Sequence, residues 1–410
     1  MVFVPGAIPG ETVLFHPVEE RSSYIRGALK EVLSPSEQFH RITPNCSHFL
    51  QCGGCQFQHI PYVEQVRIKA RLFFDLLRSR GLLKDSATEQ VITGEEGQSW
   101  GWRARARIRA KYISGERGWI SGFYKRGSHR VIQIDHCPVL SEGIGSLLMA
   151  ITALLDPSPY SGSGRQGSWR RSSFHHARPE GVCDIVLSQG VDGKTALSSA
   201  APMVPDPDKE LREALETERI LFYQGNHAPK GLFAMADGFF QANIRLNPML
   251  IETVVQMVHD VATNGRVLEL FSGAGNFTIP LARTGCNVTA VESVPSAVGM
   301  ARDNAAANQC LDAVEFICMD ANSRGVSGLM EGNGFDLVLL DPPRTGARNG
   351  CISIAGSDVP AVVYVSCDPM TLARDLSILK DGGFFLRRAV VADMFPQTAH
   401  IEAVVLLQRG

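Results

Sequence analysis

The sequence has no apolar run long enough to cross a bilayer, so a membrane-spanning helix is not expected. Met1 to Gly10 hold no basic stretch followed by an apolar block, so no secretory leader is expected and the protein is placed in the cytoplasm. No segment repeats along the chain, which removes solenoids and propellers. Acidic and basic side chains nearly cancel, 42 against 40, so the chain lacks the overall cationic excess of many nucleic-acid binders. Nor do ten cysteines in a reducing compartment suggest a disulfide scaffold, since disulfide-dense chains are usually small and secreted. Metal binding and catalysis are the roles left to them.

With 44% hydrophobic and 20% charged residues, the composition is that of a folded protein, and 410 residues predict two or three cores. The small net charge conceals an asymmetry. Residues 1–135 carry 19 Lys and Arg against 13 Asp and Glu, while the remainder carries a net −8. The front third is therefore the part expected to face RNA, a solvated surface being the plain alternative.

Val2 to Pro35 reads as short strands broken at Pro5-Gly6 and Pro9-Gly10, with alternation around Ala28 to Leu33, which fits a small β-barrel or part of one. A cysteine-rich loop follows from Cys46 to Cys55. Tyr62 to Leu83 has helical spacing, with Val66, Phe73, Leu76 and Leu77 apolar and Arg67, Lys69, Arg71, Arg78 and Arg80 forming a basic face. Residues 102–112 alternate Trp102, Ala104, Ala106, Ile108, Ala110 and Tyr112 against Arg103, Arg105, Arg107, Arg109 and Lys111. A period of two puts five cations on one face of a strand, where RNA phosphate is the functional counterpart and solvent the bland one. Ser158 to Arg178 and Pro202 to Pro207 read as loops.

After Asn247, strands alternate with helices, the pattern of a mostly parallel α/β sheet. Strands are predicted at Arg266–Phe271, Asn287–Val291, Val314–Cys318, Phe335–Leu340, Ala361–Val365, Phe384–Val391 and His400–Leu407. The last two leave no room for a crossover helix and should pair antiparallel at the end of the sheet.

Val267 to Phe277 is a strand running into a turn with Gly273 and Gly275 and then a helix, the arrangement that lets backbone approach a cofactor. Glu292 ends the next strand, where a carboxylate accepts ribose hydroxyls. Phe277 and Thr278 stand where a dinucleotide would need a third glycine, and no phosphate-binding lysine follows. A nucleoside cofactor without phosphates, as S-adenosylmethionine is, suits the turn better, with Asp320 at the third strand's end to meet the adenine amino group.

Asp341-Pro342-Pro343-Arg344 closes the fourth strand, Ser366-Cys367-Asp368-Pro369 the fifth, and His400-Ile401-Glu402 opens the last. Reactive groups gather outside the carboxyl ends of such strands. A cysteine there is a candidate thiolate nucleophile rather than core filling, although a free thiol with pKa about 8.5 is mostly protonated at neutral pH. Glu402 is the candidate general base, a role that contributes roughly 10²–10⁴-fold. Asp341 is placed to hydrogen-bond a substrate ring, and Arg344 to stabilise negative charge on it. Cys46, Cys52, Cys55 and the distant Cys137 supply four thiolates, with Gly53 and Gly54 leaving backbone room between them. Their chemistry admits zinc and an iron–sulfur cluster equally.

In these motifs the chain resembles the RNA 5-methyluridine methyltransferase family, bacterial 23S rRNA (uracil-C5)-methyltransferases in particular, over nearly its whole length. The resemblance implies a Rossmann-like seven-stranded S-adenosylmethionine-dependent domain over 236–410. It implies a partial TRAM-type, OB-like RNA-binding barrel over 1–45, expected to lack one or two strands, and an iron–sulfur loop with a central α+β insert over 46–235. It implies that Cys367 attacks carbon 6 of uracil and that Glu402 removes the carbon 5 proton. Gln241, Phe271, Asn276, Glu292, Asp320 and Asp341 would then line the cofactor site. It also implies that Cys46, Cys52, Cys55 and Cys137 hold a 4Fe–4S cluster, zinc being the lesser candidate, in a monomer acting on structured RNA. Related 5-methylcytosine enzymes carry a second cysteine after Asp-Pro-Pro, where this chain has Arg344, which favours uracil. The rivals are the same reaction on the T-loop uridine of tRNA, a non-catalytic iron–sulfur RNA-binding protein, and an enzyme that methylates amino groups without a nucleophilic cysteine.

Overall fold

Turn chemistry divides the first 34 residues into β1 (Val2–Phe3), β2 (Thr12–Glu20) and β3 (Ile25–Ser34). Gly6 and Gly10, at φ +88° and +87°, reverse the chain between β1 and β2. The three strands form one small sheet ordered β1-β3-β2. The computed structural model describes residues 1–113, 118–155, 182–199, 209–323 and 325–410. The loops expected at Ser158 to Arg178 and Pro202 to Pro207 lie outside the described residues.

Helix α1 (Tyr62–Ser79) buries Tyr62, Gln65, Ile68, Lys69, Phe73 and Leu77 on one face. Phe73 and Leu77 are fully buried, each contributing about 1.5–3 kcal/mol, and Phe73→Ala would cost roughly 3–5 kcal/mol. The helix ends at Ser79, short of the expected Leu83, because Gly81 takes φ +63° and the Leu82 N–H donates to the Leu77 carbonyl at 2.9 Å. The basic face is also narrower than expected. Arg67, Arg71, Arg78 and Arg80 are exposed, but Lys69 is buried. Strand β4 (Thr88–Ile92) follows.

The alternating arginine segment becomes β5 (Arg105–Ile113); Arg103 makes only an isolated bridge to Leu140. With β6 (Gly118–Tyr124), β7 (Val131–Gln133), β8 (Val182–Gln189) and β9 (Thr195–Ser199) it forms an antiparallel sheet ordered β7-β6-β5-β8-β9. Ala106, Ile108 and Ala110 face a core shared with Ile144, Leu147 and Leu148 of α2 (Glu142–Leu155). On the cationic face Arg109 meets Asp184 of β8 at 3.0 Å and lies over the Tyr124 ring, so one carboxylate already relieves the row. Helix α3 (Lys209–Glu216) leads to the hairpin of β10 (Arg219–Gly225) and β11 (Ala228–Met235).

The carboxyl-terminal region runs α4 (Asn247–Ala262), β12 (Arg266–Leu270), α5 (Thr278–Arg283), β13 (Asn287–Glu292), α6 (Pro295–Ala307), β14 (Val314–Cys318), α7 (Gly325–Met330), β15 (Leu337–Leu340), α8 (Arg348–Ala355), β16 (Ala361–Ser366), α9 (Pro369–Asp381), β17 (Phe384–Ala392) and β18 (Glu402–Arg409). Its sheet is ordered β14-β13-β12-β15-β16-β18-β17-β4. The five strands β14 to β16 are parallel, and β18 lies antiparallel between β16 and β17, as the missing crossover required. Strand residues alternate between two cores: Val267, Leu337, Val363 and Val404 on one face, Leu268, Val338, Val362 and Val405 on the other. The seven expected strands gain an eighth, because β4 pairs parallel with β17. The β10–β11 hairpin also joins this core, where Asn304 and Asn308 of α6 and its cap bond the backbone of Phe233, Lys230 and Gly231.

Candidate active site

Strand order places the candidate residues in a row along the carboxyl edge of the parallel strands. Asp320 follows β14, Glu292 ends β13, the Phe271–Asn276 turn follows β12, Asp341 follows β15 and Cys367 follows β16. The chain reverses its direction of winding between β12 and β15, which is where an open α/β sheet has its ligand crevice.

The cofactor half is a strained turn. Phe271, a non-glycine residue, takes φ +67°, followed by Gly273 at +55° and Gly275 at +93°. A Cβ on Gly273 would meet no atom within 4 Å, so this backbone lies open to a ligand. The Glu292 carboxylate accepts from the Gly273 N–H at 3.0 Å and from the Val294 N–H at 2.8 Å, which ties the turn to the next strand's end. Asn276 exchanges amide hydrogen bonds with Asn247 of α4 at 2.9 and 3.3 Å. Asp320 accepts from the Asn322 N–H at 2.8 Å. Gln241 is buried beside Asn243, which donates to the Met394 carbonyl. The strand before the turn also carries a residue that spacing did not single out. Glu269 is fully buried, receives the Thr278 hydroxyl at 2.5 Å and is pushed up to about 8 by burial. A carboxylate inside the apolar run Val267–Leu270 was the visible signal.

The reactive half joins three strands. Ser366 of β16 is the register partner of Ala403 in β18, so Cys367 and Glu402 lie next to one another at the meeting ends of the two strands. Glu402 is 2% exposed, and both its carboxyl and that of Asp341 are raised by burial, Glu402 further by the charge on Asp341. Burial, then Glu402 and Asp341, push the Cys367 thiol up to about 12, while Arg344 pulls it down. Asp368 caps α9, its carboxylate accepting from the N–H groups of Met370 and Thr371 at 3.0 and 2.9 Å, so the thiol sits just before a helix N-terminus. His400 is held near pKa 4 by burial and by Arg344, hence neutral at pH 7, and its Nε2 accepts from Arg344 at 3.3 Å. A soft nucleophile, two buried carboxyls with raised proton affinity and a guanidinium suit addition to an electron-poor ring followed by proton removal.

Cys46, Cys52, Cys55 and Cys137 line one cavity, together with Gly54, Arg103, Phe123 and Thr398. The Gly54 N–H donates to the Cys52 sulfur at 3.3 Å, and burial pushes Cys55 and Cys137 up to about 11 and about 12. Among the described residues no three His, Cys, Asp or Glu side chains are gathered as a single metal ion would require.

The profile of the tRNA (uracil-5-)-methyltransferase family matches residues 232–410. Over its whole length the chain is 33% identical to the 23S rRNA (uracil(1939)-C(5))-methyltransferase RlmD of Shewanella sediminis, covering 91% of that protein. It is 32% identical to the RlmD of Methylococcus capsulatus, covering 92%. Its fold is similar to the crystal structure of Pyrococcus abyssi tRNA (uracil-54, C5)-methyltransferase in complex with S-adenosyl-L-homocysteine, with TM-score 0.69, 22% identity and coverage of 98% and 95% of the two chains.

Proposed function

The chain belongs to the RNA (uracil-C5)-methyltransferase family, and on that premise we propose that it methylates a uridine of 23S rRNA through a covalent bond between Cys367 and carbon 6 of the ring. It is an S-adenosylmethionine-dependent RNA (uracil-C5)-methyltransferase. The observation that carries the mechanism is the convergence of Asp341, Cys367 and Glu402 at the ends of three neighbouring strands. The 23S substrate is favoured over the tRNA T-loop because the RlmD relatives are 33% and 32% identical over the whole chain, whereas the tRNA enzyme of similar fold is 22% identical.

Gln241, Phe271, Asn276, Glu292, Asp320 and Asp341 would hold S-adenosylmethionine, which would supply an electrophilic methyl group. The chain's own residues do the rest. Cys367 must be ionised before attack, and Arg344 is the neighbouring charge that favours its thiolate. The sulfur adds to carbon 6, and the displaced electron pair moves onto the ring as an enolate, held by Asp341 at the imide and by Arg344. Carbon 5, now nucleophilic, takes the methyl. Glu402 then removes the carbon 5 proton, the carbon–sulfur bond breaks and the 5,6 double bond returns as Cys367 leaves.

We assign the four lining cysteines to a 4Fe–4S cluster. Four thiols facing one cavity, with an N–H on Cys52 and Arg103 and Arg126 nearby, suit an anionic thiolate-bound group. A cluster spreads its ligands more widely than one zinc ion does at Zn–S about 2.3 Å. It would hold residues 46–55 against the β6–β7 sheet. The front sheet is assigned to part of a TRAM-type barrel, and the exposed Arg107 of β5 to RNA phosphate.

The test is methylation of unmodified 23S rRNA and tRNA transcripts with labelled S-adenosylmethionine, with mass spectrometry of the nucleoside. 5-Methyluridine in 23S rRNA, absent with Cys367→Ala, is the expected result. Methylation surviving in that variant would overturn the covalent step, and labelling of tRNA alone would overturn the substrate.

A further inference from the structure

We infer that two buried pairs, Lys69–Asp393 and Gln65–Gln397, form a clamp by which α1 positions the base Glu402 for its proton transfer; this rests on the covalent mechanism above. Residues 393–401 close the β17–β18 hairpin, and Glu402 is the register partner of Ala392, the residue before Asp393. Any movement of Asp393 is therefore felt on the rung that carries the base. Lys69 Nζ donates to Asp393 at 2.6 Å, with both residues 1% exposed, and also to the Phe395 carbonyl at 2.9 Å. One turn earlier, the Gln65 amide donates to the Gln397 side chain and accepts from the Gln397 N–H, both at 2.9 Å. Gln397 itself takes φ +67°, a conformation that needs support from its surroundings. The Gln397 carbonyl accepts from the N–H groups of Gln56 and Phe57, and the Gln56 side chain accepts from the Ala399 N–H at 3.0 Å.

A buried ion pair is a poor source of net stability compared with apolar packing, because desolvation consumes most of the attraction. Its value lies in geometry: two charged groups 324 residues apart have one satisfactory arrangement, and that arrangement fixes the hairpin end. The Tyr62 hydroxyl of the same helix also bears on Asp393: burial and the charge of that carboxylate raise its pKa. Lys69 and Gln65 act through the hairpin. After burial and Arg344, the Lys69 charge also lowers the pKa of the hairpin's His400, so Gln65→Met, which removes no charge, separates position from electrostatics.

The predicted signature is specific to the last chemical step. With Glu402 misplaced, Cys367 still adds to the ring and the methyl is still transferred, but carbon 5 keeps its proton and the enzyme–RNA bond persists. Lys69→Met/Asp393→Asn and, separately, Gln65→Met are compared with Glu402→Gln. Gln65→Met leaves no buried charge and serves if the first variant misfolds. Melting curves and transcript binding come first, then denaturing gels with labelled S-adenosylmethionine and unmodified transcript. Clamp variants that fold and bind RNA within about threefold of the parent should turn over at least ~10-fold more slowly and accumulate labelled adduct, as Glu402→Gln does. Slow turnover without adduct, or unchanged turnover, overturns the clamp. Absence of adduct in Glu402→Gln as well would sink the covalent reading, and the clamp's role with it.

Discussion

Cys367 and Glu402 are neighbours because β18 runs back along β16: Ser366 pairs with Ala403, and the residue beyond each is the thiol and the carboxyl. Had β18 run parallel to β16, Glu402 would lie at the opposite end of the sheet. The antiparallel return is thus what assembles nucleophile and base, and Glu402→Gln should separate binding from chemistry. The amide fills the same buried space, so RNA affinity should hold while turnover falls by roughly 10²–10⁴. Steady-state release of 5-methyluridine-containing RNA beside a binding titration measures both, and equal losses in the two would remove Glu402 from the base role.

Asp341 sets the pH at which that base works. Its charge is one cause of the raised Glu402 carboxyl, burial being the larger. A base must be ionised to act, so activity should rise with pH on its acid limb. Replacing Asp341 with Asn removes a neighbouring negative charge, which makes ionisation of Glu402 easier and moves that limb to lower pH. The residual rate of the variant is expected to be low, but the position of the limb is independent of its height. A pH–rate profile with the limb unmoved would show that Asp341 acts through charge on neither Glu402 nor Cys367, whose ionisation also raises the rate.

Much of this site was legible because its residues end strands, and strand ends are marked in sequence by an apolar run giving way to Asp-Pro-Pro or Ser-Cys-Asp-Pro. Asp341 and Cys367 follow from those motifs, while the order that lines them up with Asp320 and Glu292 comes from the strand order of the sheet. Lys69 was not legible. Its neighbours Arg67 and Arg71 are solvated, and only a partner at Asp393, far along the chain, takes it inside. Strand β4 was hidden for a related reason: four of its five residues are exposed, so it shows no buried alternation, and its pairing with β17 spans most of the chain. Phe271 in the left-handed region is a third case, since a bulky residue there is legible only once the turn is seen.

The cysteine assignment makes a selective prediction. Cys137 comes from a different segment than the other three cysteines of the cavity, so if they hold a cluster Cys137→Ser should remove both the group and the link it makes. Loss of visible absorbance and iron from anaerobically purified protein is expected, with a drop in melting temperature of several degrees, which corresponds to about 1–3 kcal/mol. Cys318→Ser, at an exposed cysteine, should change none of these. Protein that is colourless and iron-free before any substitution, but carries zinc, would replace the cluster with the lesser candidate.

Glu269 predicts how stability depends on pH. Its carboxyl is buried beneath the cofactor turn and titrates near 8 in the folded protein, against 4.5 for the ordinary group. The folded state therefore holds a proton that the unfolded chain has already lost over that interval. Stability from this group is fully present below pH about 4.5 and declines by roughly 1.4 kcal/mol per pH unit until the folded carboxyl also ionises. Glu269→Gln keeps the shape and an acceptor for the Thr278 hydroxyl but cannot ionise. Its melting temperature relative to the parent should therefore climb between pH 5 and 8 and level off above. The difference between the two curves reports Glu269 together with its charge coupling to Asp341 and Glu292, and parallel curves across that range would mean that the buried carboxyl does not hold its proton.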